Sequence, residues 1–198
     1  MDLVQVHPTS FVDPKDSRNP VKFLAAELLR GEGGLMLFEG KRFINKMETR
    51  KNVTSAITSI LSEEMMRRQW NVVLVLDERV YQSTSSHIDF YIWKGLMRKG
   101  TVGELGSKVL GMIKAYADAT AGRESDPFGR EYFGYWELTE ATEDSVVYVG
   151  RVTPAVHFTM DGVVKGRGFG CRPQADYGTL GRRRSYGYRI TVSLFKTQ

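Results

Sequence analysis

Five polar side chains stand out by type and spacing: His7 directly before Pro8, Glu27 and Arg30 three residues apart, Arg50, and His157 in the run Thr153-Pro154-Ala155-Val156-His157. Each has an ordinary structural role. A histidine before a proline at a strand end commonly serves as a hydrogen-bonding residue. Glu27 and Arg30 at i, i+3 read as a solvated pair on one helix face. Arg50 is less ordinary. It stands at a helix start, where the positive end of the dipole disfavours a cation that an anionic group could offset. Arginine also presents a planar fork of donors that matches a carboxylate.

The elements that must position these residues can be read from the pattern. Leu3-Val4-Gln5-Val6 alternates and predicts a short strand ending at His7-Pro8. Residues 11–20, rich in Asp, Asn and Pro, predict a loop, and Phe23 to Arg30 a helix that stops at Gly31. Leu35 to Phe38, Gly40 and Arg42-Phe43-Ile44 predict a hairpin. Thr49 or Asn52 caps a helix in which Val53, Ala56, Ile57, Ile60, Leu61 and Met65 recur at helical spacing through Arg68. The apolar run Val72 to Leu76 predicts a buried strand. Helices are expected over Glu78–Thr84 and Ile88–Arg98. Another opens at the Thr101/Glu104 capping box and runs to Ala121. After a loop over 122–129, strands are expected at Val146–Val149 and Ala155–Met160. Helices among strands of mixed direction define an α+β fold with a mixed sheet.

Composition limits the function classes. The 198 residues, 41% hydrophobic, suffice for one moderate core. Of the 28 basic and 23 acidic residues, eight basic and one acidic lie from Gly162 onward. The net charge of +5 is therefore carried by the tail, over a body that is slightly acidic. A basic tail alone is a poor nucleic-acid surface, and no nucleic-acid partner is expected. Cys171 is the only cysteine, so no internal disulfide can form and a reducing compartment is favoured. No apolar run approaches the ~20 residues of a membrane span, and the start lacks the order of a signal peptide, so a soluble intracellular chain is expected.

Four segments carry a family resemblance in order: Val4-Gln5-Val6-His7-Pro8-Thr9; Ala25-Ala26-Glu27-Leu28-Leu29-Arg30-Gly31-Glu32-Gly33-Gly34; Arg42-Phe43-Ile44-Asn45 through Thr49-Arg50; and Thr153-Pro154-Ala155-Val156-His157-Phe158-Thr159-Met160. They resemble motifs of the fumarate reductase and succinate dehydrogenase flavoproteins. Asp89-Phe90-Tyr91 to Gly100-Thr101-Val102 narrows the likeness to the soluble single-chain fumarate reductases of fungi and kinetoplastids. The resemblance covers roughly residues 3 to 163. It implies the substrate-capping domain, the clamp inserted in a larger flavin-binding domain that closes over the substrate.

By that resemblance His7 and His157 bind the carboxylates of fumarate or succinate. Arg50 protonates one alkene carbon while FAD delivers hydride to the other, and Glu27 and Arg30 return the proton to Arg50. Ala26 departs from bacterial members that place a Thr there, and Asp161 from a common Gly. The Gly-rich turn that binds FAD elsewhere in the family has no counterpart, because the glycines at 31–34 follow a helix and not a strand. The expectation is a capping domain over 1–163, inactive alone, with no cofactor of its own, no metal site, and a separate flavin domain as partner. The other class in play is a stand-alone dicarboxylate- or protein-binding module without redox activity. Residues 164–198 lose the resemblance. Codons for Tyr177 to Gly187, shifted by one nucleotide, can spell a flavin-domain motif of the family, so the tail is expected to be a frameshifted continuation of a longer protein.

Overall fold

The computed structural model describes residues 4–60 and 72–158, with side chains from 6–60 and 72–156. The tail from 164 and the proposed helix extension over 61–68 lie outside them.

Among the described residues seven strands form one sheet: β1 Val4–Phe11, β2 Phe23–Leu24, β3 Leu35–Phe38, β4 Lys41–Arg42, β5 Val72–Asp77, β6 Met97–Thr101 and β7 Val146–Phe158. The order is β2-β1-β7-β5-β3-β4, with β6 also on β7. Four helices accompany it: α1 Glu27–Gly31, α2 Arg50–Ser59, α3 Glu78–Trp93 and α4 Ser107–Thr120. The fold is α+β as the sequence implied, and every strand pairing among the described residues is antiparallel.

Alternation along the central strands sorts the core onto two faces. Met36, Val72, Leu74, Leu76, Tyr148 and Val152 pack with Leu29 of α1, Val53 and Ile57 of α2, and Val80, Ile88 and Tyr91 of α3. Leu35, Leu37, Val75, Val147 and Val149 pack instead with Val109, Ile113 and Tyr116 of α4 and with Trp136. The 13-residue β7 is the spine. Val152 pairs with both Val72 and Phe11, while Gly150 pairs with Leu74 and Met97, so β6 and then β1 share the edge opposite β5.

Several elements differ from expectation, each for a local reason. β1 does not stop at His7-Pro8. Its register shifts between His7 and Ser10, so Pro8 and Thr9 bulge opposite Pro154. Neither proline can donate to the ladder, and a bulge is where a sheet tolerates them. The same bulge carries β7 through Pro154 as one strand in place of two. Phe23-Leu24, read as helical, instead adds a strand to Ser10-Phe11, leaving only a short α1. α2 ends at Ser59, with Ile60 extended. The two helices over 78–98 are one helix kinked at Thr84, and its end gives way at Gly95 (φ 74°) to β6, which takes Arg98 and Gly100 into the sheet. The capping-box turn is a 3₁₀ turn at Gly103–Leu105, separated from α4 by Gly106.

Asp77 ties the two faces together. One carboxylate oxygen caps α3 by accepting from the Val80 amide at 3.0 Å, and the other accepts from the Glu137 and Leu138 amides at 2.8 and 3.1 Å. Burial raises its pKa above the ordinary value, and the three amide bonds only partly oppose that. Asp77→Asn replaces one acceptor oxygen by a donor facing amides. It should cost about 1–3 kcal/mol, read as a lower chemical-denaturation midpoint at pH 7.

Candidate functional site

The Glu27 carboxylate is the point on which the site converges. α1 begins at Glu27 and places Arg30 one turn on, where Nε and Nη2 reach Glu27 Oε1 at 2.7 and 2.5 Å. From β1, His7 Nε2 lies 3.2 Å from Glu27 Oε2. From the first turn of α2, Arg50 Nη2 lies 3.1 Å from the same oxygen. The anion that offsets the cation at this helix start is therefore Glu27. Three elements separated in sequence meet here because α1 and α2 pack on the same face of the sheet, next to β1.

The two sides of the carboxylate differ. Oε1 is locked by aligned bonds to Arg30. Oε2 is fully covered and is approached by His7 Nε2 on one side and Arg50 Nη2 on the other. The His7 bond first, then Arg30 and Arg50, outweigh burial and hold the Glu27 pKa down, from an ordinary 4.5 to about 2. The carboxylate is ionised, and the cluster carries at least one excess positive charge from its two guanidinium groups. Arg50 is 40% exposed, so the positive side opens to solvent.

Arg30 does more than meet Glu27. Its Nη1 donates to the carbonyls of Lys46 and Glu48 at 3.0 and 2.6 Å, which straps the loop before α2 onto α1. Thr49 then caps α2 by accepting from the Asn52 amide at 3.2 Å. Lys46, 1% exposed, adds a second strap by donating from Nζ to Leu29 O at 2.7 Å. Burial, with Arg130 and Arg30 nearby, holds its pKa well below the ordinary lysine range against the opposing pull of Glu32 and Asp77. Nothing in the sequence marks Lys46 as buried, because a lysine between Asn45 and Met47 reads as loop.

His157 stands on β7 opposite Gln5, and His7 opposite Ala155, so the pleat gives positions 7 and 157 the same parity two residues apart on adjacent strands. The side chain of His157 is outside the described set. Of the five sequence candidates, the structure thus gathers His7, Glu27, Arg30 and Arg50 into one cluster and sets position 157 on the neighbouring strand.

A second polar cluster escaped the sequence reading. Arg42 forks onto Asp126 and stacks on Tyr116 and Phe128. Arg130, 4% exposed, donates to Tyr132 O and Gly34 O at 2.8 and 2.9 Å. It anchors the 126–136 loop to the start of β3. An Asp-Pro loop offers a turn signal but no sign that its Asp is buried.

Every strand pairing among the described residues is antiparallel, and Gly33 and Gly34 are packed by their own fold. A Cβ at Gly34 would meet Val75 O at 2.3 Å, and one at Gly33 would meet Phe133 O and Trp136 N at 3.1 Å. No set of three His, Cys, Asp or Glu among the described residues could hold a metal. No described helix is long and apolar enough to cross a membrane.

Comparison with known proteins agrees with this architecture. Residues 1–165 match the family model described as FAD binding domain. Fumarate reductase 1 of Saccharomyces cerevisiae is 38% identical over 82% of this chain and 36% of its own length, and fumarate reductase of Schizosaccharomyces pombe 41% over 82% and 31%. The open conformation of a flavocytochrome c3 fumarate reductase superposes with a TM-score of 0.59 at 25% identity, over 79% of this chain and 26% of that one. The chain belongs to the fumarate reductase and succinate dehydrogenase flavoprotein family, on the side of the fungal fumarate reductases. It spans about a third of the length of those fungal relatives.

Proposed function

We propose that this chain is the substrate-capping segment of an FAD-dependent fumarate reductase, supplying dicarboxylate-binding and proton-donating groups, with the flavin held by a separate domain. The observation that carries the reading is the meeting of His7, Arg30 and Arg50 on one Glu27 carboxylate. Fumarate is a dianion whose reduction concentrates negative charge further, so fixed cationic groups that act most strongly on the transition state are what the reaction requires.

Within this reading Arg50 is the acid. A free guanidinium holds its proton to a pKa above about 12, so it gives one up only to a very basic carbon and only if a neighbour restores it. Glu27 Oε2, 3.1 Å from Arg50 Nη2, is placed to do so. Its pKa of about 2 means that it carries the proton only in passing. A dianion docked beside Arg50 offsets part of that cation's field, which raises the Glu27 pKa and eases its protonation when substrate is present. His7 orients one carboxylate, and His157 the other. Arg30 holds Glu27 in place and stands next in the proton path.

The test on the chain itself is a fumarate titration followed by NMR. Affinity in the millimolar range is expected, about −3 to −4 kcal/mol, because a clamp without its opposing domain offers half a site. The shifts should be confined to His7, Glu27, Arg50 and His157. Arg50→Ala should weaken binding about tenfold, the loss of one charge-assisted pair. Shifts scattered over surface lysines and unaffected by Arg50→Ala would sink the reading. The purified chain should carry no flavin, and FAD that survives purification would contradict the assignment of flavin binding to another domain.

A further inference from the structure

The segment Asp89-Phe90-Tyr91 marks the likeness to the fungal enzymes. Tyr91 reaches the cluster on Glu27 indirectly. It sits on α3 beyond the kink at Thr84, where φ −131° and ψ 21° swing the second half of the helix across the amino end of α1. Only 4% exposed, its ring lies 4.6 Å from that of Phe11 in tilted contact and 5.9 Å from that of Phe23 edge-on. Its hydroxyl accepts from the Ala26 amide at 2.9 Å.

Ala26 is the N-cap residue just before α1, and it has no side-chain oxygen to cap the turn. Amides at a helix start need a partner from elsewhere. Here the partner comes from a helix 65 residues away in sequence, and the next residue along the chain is Glu27. We propose that Tyr91 is the positioning residue for Glu27: by holding the Ala26 amide it fixes where α1 starts, and so sets the Glu27 carboxylate between His7, Arg30 and Arg50. The groups that act most strongly on Glu27 are His7 from β1, Arg30 from α1 and Arg50 from α2. Tyr91 therefore acts through geometry, without adding a charge. Its functional weight rests on the reading given above, but its geometry does not.

Titration of the Glu27 side-chain carbon by NMR, in the chain as it is and in Tyr91→Phe, tests this without any substrate. Tyr91→Phe keeps the ring packing and removes only the oxygen. The Glu27 midpoint should rise by about one pH unit from its depressed value, as the contacts to His7 and Arg50 loosen. Exchange of the Ala26 amide should quicken at least roughly tenfold. Tyr81→Phe, which removes a hydroxyl bonded to Asp89 on the same helix, is the control and should leave both unchanged. An unmoved Glu27 midpoint in folded Tyr91→Phe overturns the proposal. If Tyr91→Phe fails to fold, the Ala26 amide of the unsubstituted chain decides: slow exchange supports the bond and exchange at the open-chain rate overturns it. Because fumarate never enters, a negative result here is distinct from a failure of the chain to bind dicarboxylates.

Discussion

Glu27→Gln should destabilise the chain at neutral pH and change the way its stability responds to acid. The substitution keeps the shape and removes the one anion shared by His7, Arg30 and Arg50. A folded-state pKa of about 2 against an ordinary 4.5 means that the ionised carboxylate stabilises the fold above about pH 4.5, and that this contribution fades as pH falls toward 2. At full value the shift is worth roughly 3 kcal/mol. Glu27 is 38% exposed, so solvent screening brings the expected loss to about 1–2 kcal/mol. Melting followed by circular dichroism should show the Gln variant lower by about 3–6 °C at pH 7, with the two curves converging near pH 2. A constant gap across that range would show that the cluster does not hold the carboxylate ionised. The same substitution should tighten equilibrium fumarate binding, because the dianion then meets two guanidinium charges that the Glu27 anion no longer offsets.

Gly34→Ala should be more damaging still. Gly34 has φ +83°, and a Cβ there would lie 2.3 Å from Val75 O and 2.6 Å from a Leu76 methyl. The obstacle is a backbone carbonyl of β5, which cannot rotate away. Relief requires β3 to part from β5 where Leu35 pairs with Val75 and where Arg130 Nη1 donates to Gly34 O. Left-handed strain and the clash together should cost at least about 3 kcal/mol, seen as a melting point lower by roughly 6–12 °C or as failure to fold. Gly31→Ala, whose Cβ would meet nothing within 4 Å, is the matched control and should be mild. Equal melting points for Gly34→Ala and the unsubstituted chain would mean that β3 does not enter the sheet as described.

The residues of the site were legible from sequence because each sits in a compact local motif: His7 before Pro8, Glu27 and Arg30 within one turn, and Arg50 after a capping threonine. The helix dipole likewise marked Arg50 as a place where an anion could sit. The buried strand at 72–77 and the hairpin at Gly40 were likewise legible, since hydrophobic runs and turn glycines act within a few residues. What sequence could not supply was the distance between motifs. Glu27 meets Arg50 because α1 and α2 pack on one sheet face, and that face is chosen by the summed burial of the core and not by any single residue. Lys46 and Tyr91 were missed for the same reason, since their partners, Leu29 O and the Ala26 amide, are backbone atoms brought near by folding. The strand errors share a cause as well. β2, β6 and the bulge at Pro8 and Pro154 exist because neighbouring strands offer hydrogen bonds, and pairing with a strand elsewhere in the chain leaves no periodic trace in either partner. Local motifs therefore singled out the residues, and only tertiary packing, where burial outweighs local preference, brought His7 and Arg50 onto the carboxylate that Arg30 holds.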